Sequence, residues 1–201
     1  MDMTGDGRTG AKSEFLSDEG STEHVTVVRR AMDGDVRAFE RLVDCYQGPL
    51  SSLCRRMVRD QQEAEDILQE TFLTAWRRLD SLQDPARFKP WIYRLASNSC
   101  IDLIRRREAR HSVPTDTTQM GDVATQAPGP ERSAEAAAAI EDLERVLGGL
   151  PPEQKLAWVL YEMQGESYGQ IAEILKVSEG SVRGRIHRAR RAIVAGMEGW
   201  L

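Results

Sequence analysis

SYGQIAEILKVSEGSVRGRIHRARRA, residues 167–192, decides the reading of this 201-residue chain. Ser167 followed by Gln170 is a capping-box pattern, in which the hydroxyl serves an orphan N–H and the amide reaches back to the cap. Ile171, Ala172, Ile174 and Leu175 then recur at helical spacing, so Tyr168 to Leu175 reads as a short helix. Lys176-Val177-Ser178 makes a turn, from which Ser178 can cap a second helix with Glu179 favourably placed in its first turn. Two short helices across a three-residue turn match the helix-turn-helix that lays its second helix in a DNA groove.

Projected at about 100° per residue from Val182, the residues Ile186, Ala189 and Ile193 fall within about 40° of it and form a narrow buried stripe. Arg183 and Arg190 flank the stripe on one side, and Ser181, Arg185 and Arg188 on the other. His187 and Arg191 point away from the core. Five arginines and no acid occur between Ser181 and Ala195. A solvated helix face usually mixes signs, whereas a wholly cationic face beside such a turn is the footprint of a nucleic-acid contact.

The bulk composition argues the other way, since the formal net charge is −5. By segment, residues 1–24, 25–110, 111–132 and 133–201 carry −4, +3, −2 and −2. The first segment is Gly-, Ser-, Thr- and Asp-rich and reads as a disordered acidic tail. Residues 111–132 (HSVPTDTTQMGDVATQAPGPER) have almost nothing to bury and read as a flexible linker. Two folded pieces remain. No run of about 18 apolar residues exists to cross a membrane, and the start has no apolar segment of a secretory signal. Cys45, Cys54 and Cys100 are an odd, widely spaced set, matching neither a disulfide framework nor a zinc site, which points to a reducing cytoplasm and no metal.

Both pieces read as helix, so the expected fold is all-α, two small helical domains joined by a flexible linker, the C-terminal one carrying the helix-turn-helix. Breaks are expected at Asp33-Gly34-Asp35, Gly48-Pro49, Arg59-Asp60 and Asp80 to Pro90. In the C-terminal piece they are expected at Gly148 to Pro152, Gly165-Glu166 and Lys176 to Ser178. Between Pro90 and Arg107, Ile92, Tyr93, Ala96, Cys100, Leu103 and Ile104 share a broad apolar side. Trp91, Arg94, Asn98, Asp102 and Arg105 share the opposite one. An aromatic ring beside Arg and Asn can stack on a base, bond its edge and hold phosphate, and Arg105, Arg106, Arg107 and Arg110 add attraction independent of sequence. Trp91 reads equally well as a core tryptophan, and Cys100 as an inert core thiol.

The helix expected over Gln62 to Leu79 buries Ala64, Leu68, Thr71, Phe72, Ala75 and Leu79. Its far side carries Asp66, Gln69, Glu70, Leu73 and Arg77. A leucine ringed by charge is either an ordinary exposed leucine or the anchor of a small protein-docking site, and the residues alone leave both readings open.

In this order, the segments resemble the extracytoplasmic-function (ECF) group of bacterial sigma factors, within the sigma-70 family. The resemblance spans about Val27 to Arg110 and Glu141 to Met197. It is carried by Glu63-Ala64-Glu65-Asp66-Ile67-Leu68-Gln69-Glu70-Thr71-Phe72, by Trp91-Ile92-Tyr93-Arg94-Leu95-Ala96 with Asn98 and Asp102, by Leu150-Pro151-Pro152, and by Ser178-Glu179-Gly180-Ser181-Val182-Arg183 with Arg185, His187, Arg188, Ala189 and Arg190. It implies that residues 25–110 are sigma region 2 and residues 133–201 sigma region 4. Asp66, Gln69, Glu70 and Leu73 would then dock on the clamp-helix coiled coil of the largest subunit of core RNA polymerase. Trp91, Arg94, Asn98, Asp102, Arg105 and Arg106, with the loop Asp80 to Lys89, would engage the −10 promoter element. Ser181, Arg183, Arg185, His187, Arg188 and Arg191 would read the −35 element. An anti-sigma factor commonly holds such proteins inactive, and none of this needs a cofactor or a catalytic group.

Linker length agrees with that reading. Twenty-two residues behave as a coil of roughly 25–28 Å and extend to about 73–79 Å, while elements about one and a half turns of DNA apart lie roughly 50 Å from one another. Gly184 stands where serine is common, Pro90 where serine or threonine precedes the tryptophan, and Gly169-Gln170 where two acids are usual. The rival reading is a stand-alone homodimeric helix-turn-helix regulator, which would need neither the Trp91 face nor the Glu63–Phe72 helix. An enzyme is disfavoured because the chain has no Gly-rich phosphate loop, His-Glu-x-x-His or Gly-x-Ser-x-Gly.

Overall fold

A computed structural model describes residues 21–111 and 142–197, and all regular structure among them is helical. Residues 1–20 of the expected tail (1–24) and residues 112–132 of the expected linker (111–132) lie outside the described residues, and His111 is the last residue of α4 rather than the first of a linker. The N-terminal half comprises α1 (Thr22–Met32), α2 (Val36–Val58), α3 (Gln61–Arg78) and α4 (Phe88–His111), with single 3-10 turns at Leu79–Ser81 and Pro85–Arg87 before α4. The C-terminal half has a helical stretch at 142–148 and then α5 (Pro152–Trp158), which runs on as a π-helical turn, Val159–Met163. It closes with α6 (Tyr168–Leu175) and α7 (Glu179–Gly196).

Short polar side chains set the starts of these helices. Ser21, Asp35, Asp60, Ser167 and Ser178 each cap a helix by accepting a backbone N–H, satisfying donors that have no partner inside the helix. At Ser167 the reciprocal bond from the cap N–H to Gln170 Oε1, 2.8 Å, completes the box read from the sequence. Left-handed residues set two ends. Arg59 (φ 64°) closes α2 and Lys176 (φ 52°) closes α6.

Three expectations are corrected. Gly48-Pro49 does not divide the chain, because α2 runs through both without a break. An interior proline costs about 3 kcal/mol of helix propensity, but the fully buried Tyr46, Leu50 and Leu53 on the same helix hold the segment in place. The second correction concerns the tail: His24, placed in it by the sequence reading, lies one turn into α1, fully buried, with Nε2 2.9 Å from Tyr46 Oη. Its ring also lies 6.2 Å from that of Phe88, tilted against it, so the fold begins at the Ser21 cap rather than after residue 24. Burial holds the imidazole of His24 below its ordinary pKa. Third, the break expected over Asp80 to Pro90 ends earlier, because α4 starts at Phe88 and Pro90 is its third residue; the proline is tolerated because the first four N–H groups of a helix have no intrahelical acceptor.

The N-terminal core joins Val27, Val28 and Ala31 of α1, Leu42, Tyr46, Leu50 and Leu53 of α2, Ala64 and Ala75 of α3, and Phe88, Ile92 and Ala96 of α4. Cys54 and Cys100 are buried and unoxidised, and Cys45 is half-buried. The hydrogen bond between the two thiols, with burial, pushes Cys100 up, in keeping with an inert core thiol there, and the same bond holds Cys54 below its ordinary value. In the C-terminal half, Leu156, Leu160, Ile171, Ile174, Val182, Ile186 and Ala189 make the core.

The two halves also pack on each other, which nothing in the sequence patterning anticipates. Lys155 of α5 is buried and donates from Nζ to Met57 O in the last turn of α2, 2.7 Å. Arg94 of α4 donates from Nε to Ile174 O and from Nη2 to Glu173 O, both 3.0 Å, at the end of α6. A largely buried ion pair joins Lys89 to Glu166 at 2.8 Å. Arg105 pairs with Glu153, and the Arg59 guanidinium lies against Gly148, where a Cβ would meet Nη1 at 2.7 Å.

Candidate nucleic-acid interface

On α7 the stripe expected from projection is the one observed. Val182, Ile186 and Ala189 are buried and Ile193 half-buried. This seats the helix against α5 and α6 and turns the opposite side outward. Arg183, His187, Arg188 and Arg191 are exposed, and Ser181 and Arg185 half-buried. Arg183 lies 5.3 Å over the Tyr168 ring and 3.6 Å from Glu179, so α6 and the first turn of α7 orient it. Arg190 is committed elsewhere: it pairs with Glu162 at 2.6 Å and covers the Tyr161 ring. Tyr161 and Tyr168 are themselves stacked at 4.8 Å, joining the turn before α6 to its first residue. The arrangement is a rigid cationic helix face able to hold phosphates and base edges.

Gly184 has a local reason. A Cβ built there would stand 3.3 Å from Arg188 Nη1, closer than most such contacts. The glycine leaves space for the Arg188 guanidinium to lie along the helix surface.

On α4, Ile92, Tyr93, Ala96 and Cys100 are buried, while Leu103 and Ile104 are half-buried. The opposite stripe is not a uniform open face. Asn98, Asp102, Arg105 and Arg106 are exposed. Trp91 is half-buried, its ring 5.9 Å from Phe88, so it serves the core with one part and leaves another accessible. Arg94 is turned into the end of α6, and burial lowers its pKa, partly offset by Glu173. Arg105 is held by Glu153, and Arg107 pairs with Glu63 and donates to Val58 O, which ties α4 to α2 and α3.

The far side of α3 presents Asp66, Gln69 and Glu70, all exposed, around Leu73, which is 50% exposed. Sequence reasoning missed the rest of this patch. Trp76, one turn on, is 38% exposed and its ring lies 4.9 Å from Phe39 of α2, with Val36 exposed one turn before Phe39. An exposed tryptophan three residues after the exposed leucine was the available signal, because residues three apart share a helix face. An apolar anchor of this kind with an acidic rim suits a protein partner rather than solvent.

No helix among the described residues is long and apolar enough to cross a membrane, and no group of His, Cys, Asp or Glu there could hold a metal ion.

Comparison with known proteins agrees with this geometry. The models for Sigma-70 region 2 and Sigma-70, region 4 match residues 42–110 and 140–193. The chain is 30% identical over 172 residues to the ECF RNA polymerase sigma factor SigW of Bacillus subtilis, covering 83% of this chain and 92% of that one. It is 35% identical over 173 residues to the RNA polymerase sigma-H factor of Pseudomonas aeruginosa, covering 83% and 90%. Among solved structures it is similar to CnrH in complex with the cytosolic domain of CnrY, with a TM-score of 0.66 at 26% identity over 88% of this chain and 97% of that one. With region 2 and region 4 in order and relatives matched over nearly their whole length, the chain belongs to the ECF group of the sigma-70 family and is an alternative RNA polymerase sigma factor.

Proposed function

We propose that this sigma factor divides its work between its halves. Residues 25–110 act as region 2, docking on core RNA polymerase and engaging the −10 element, and residues 133–201 act as region 4, reading the −35 element. Asp66, Gln69, Glu70 and Leu73, extended by Trp76, make the polymerase contact on the clamp-helix coiled coil. Trp91, Arg94, Asn98, Asp102, Arg105 and Arg106 hold the opened −10 strand. Ser181, Arg183, Arg185, His187, Arg188 and Arg191 make the −35 contact. The protein works in the bacterial cytoplasm without catalysing a reaction, and an anti-sigma factor restrains it. A relative solved with an anti-sigma factor, RpoE with NepR from Bartonella quintana, shares the fold and supports that partner class.

The observation that carries the reading is one chain presenting two unlike faces. The C-terminal half carries a recognition helix without acids past its first turn, and the N-terminal half carries an acid-rimmed Leu73–Trp76 patch. A self-sufficient dimeric regulator has no use for the second. Leu73→Asp puts a charge in the centre of the patch. In a pull-down with core polymerase it should reduce retention at least tenfold, while the variant's circular dichroism and its binding to duplex −35 DNA stay as in the parent. Equal retention of parent and variant would remove the docking assignment.

A further inference from the structure

Four side chains of the C-terminal half form one column across three segments. Arg190 of α7 lies 5.3 Å over the Tyr161 ring, Tyr161 stacks on Tyr168 of α6 at 4.8 Å with 10° between the planes, and Arg183 of α7 lies 5.3 Å over Tyr168. The rings thereby link two arginines seven residues apart, two turns of α7, which leave the same side of that helix. Tyr161 and Glu162 belong to the π-helical turn Val159–Met163, and Glu162 pairs with Arg190 at 2.6 Å. A π turn takes an extra residue into a helix and occurs mostly at functional sites; here it brings a ring and a carboxylate to one guanidinium.

The two ends of the column differ. Arg190 is anchored by an ion pair and a ring. Arg183 has a side chain 65% exposed and its acid, Glu179, 3.6 Å away, and an exposed pair of this kind contributes little. What fixes Arg183 is the Tyr168 ring, and what fixes that ring is Tyr161, half-buried against the core. A guanidinium held over a ring is bound through its charge, so its N–H groups stay available for the two acceptors of a guanine edge. Holding it there in advance also removes the ordering cost that a free side chain meets on binding, roughly two- to tenfold in affinity.

We propose that Tyr161, which makes none of the proposed DNA contacts, is a positioning residue for sequence reading by α7. Through Tyr168 it aims Arg183 at a guanine, with Arg190 and Glu162 as the anchor. The proposal rests on the assignment of α7 to the −35 element, and it makes one base preference depend on a side chain 22 residues upstream of the arginine that reads it.

The test uses holoenzyme assembled from core polymerase and the full chain, with promoter duplexes randomised across the −35 element, and reads the bound sequences. The parent should enrich guanine at one position that Arg183→Ala relaxes. Tyr161→Leu, which keeps apolar bulk without an aromatic face, should lower that preference about two- to tenfold and leave the other positions unchanged. Tyr161→Phe should restore it. Combining Tyr161→Leu with Arg183→Ala should relax the position no further than Arg183→Ala alone, because both act through one guanidinium. In the free chain, the upfield ring-current shift of the Arg183 δ-methylene protons should shrink in Tyr161→Leu and persist in Tyr161→Phe. Parent-like preference in Tyr161→Leu, an equal loss at every position, or a Phe variant that behaves like the Leu variant would overturn the positioning role. A parent that selects no −35 sequence would instead remove the −35 assignment, and the proposal with it.

Discussion

Arg188 lies along the surface of α7 in the space left by Gly184, exposed and facing outward with His187 and Arg191. A guanidinium in that position can form a two-pronged bond with a guanine edge, a contact worth about 1–3 kcal/mol of discrimination. Arg188→Ala should therefore weaken binding of the holoenzyme to its promoter by roughly tenfold or more, the loss disappearing on DNA whose −35 element is scrambled. Retention of core polymerase should not change, which a pull-down alongside an electrophoretic shift checks. The roles of single residues were only partly legible in the sequence. Projection placed Arg188 outward because Val182, Ile186 and Ala189 demand burial. It placed Arg190 beside them without showing that Glu162 and Tyr161, 28 and 29 residues upstream in the chain, take it out of reach.

At the scale of elements, caps were the most readable feature. Ser167, Gln170 and Ser178 act on N–H groups three residues away, so their pattern is complete within four residues. The continuity of α2 across Pro49 was not readable, because the burial that overrides the local penalty comes from other helices. Gly184 supplies a prediction for α7 itself. Gly184→Ala should raise helix propensity by about 1 kcal/mol, yet the new Cβ stands 3.3 Å from Arg188 Nη1 and pushes that side chain aside. The expected result is a higher melting temperature together with weaker −35 binding, read by thermal unfolding and by DNA titration of the same sample. The docking patch was half readable: Leu73 stood out by its charged neighbours, whereas Trp76 gained its meaning only once Phe39 was seen beside it.

For the whole molecule, the junction between the halves was invisible in the sequence. Its acceptors are main-chain carbonyls, which every residue carries, and its partners stand about 80 to 98 residues apart. That junction should make the fold sensitive to pH. Burial, and then the charge of Arg59, push the Lys155 ammonium down from 10.5 to about 8 in the folded chain. Cys100 and Glu144 also face it and act in the opposite direction. Between about 8 and 10.5 the folded chain binds fewer protons at Lys155 than the unfolded one, so stability should rise as pH rises through that window and be least below it. The melting temperature should rise over the same interval through this group, and the Lys155→Met variant should lose that slope.

On the proposed −10 assignment, Arg94 serves two sets of partners that exclude each other, the carbonyls of α6 and an opened DNA strand. Its alleles would therefore be pleiotropic. Losing the side chain would loosen the junction between the halves and weaken the proposed DNA contact together. Alleles at Glu166 carry only the loosening. Over evolutionary time, that leaves position 94 the narrower choice, since a substitution must satisfy a helix end and a nucleic acid with the same few atoms.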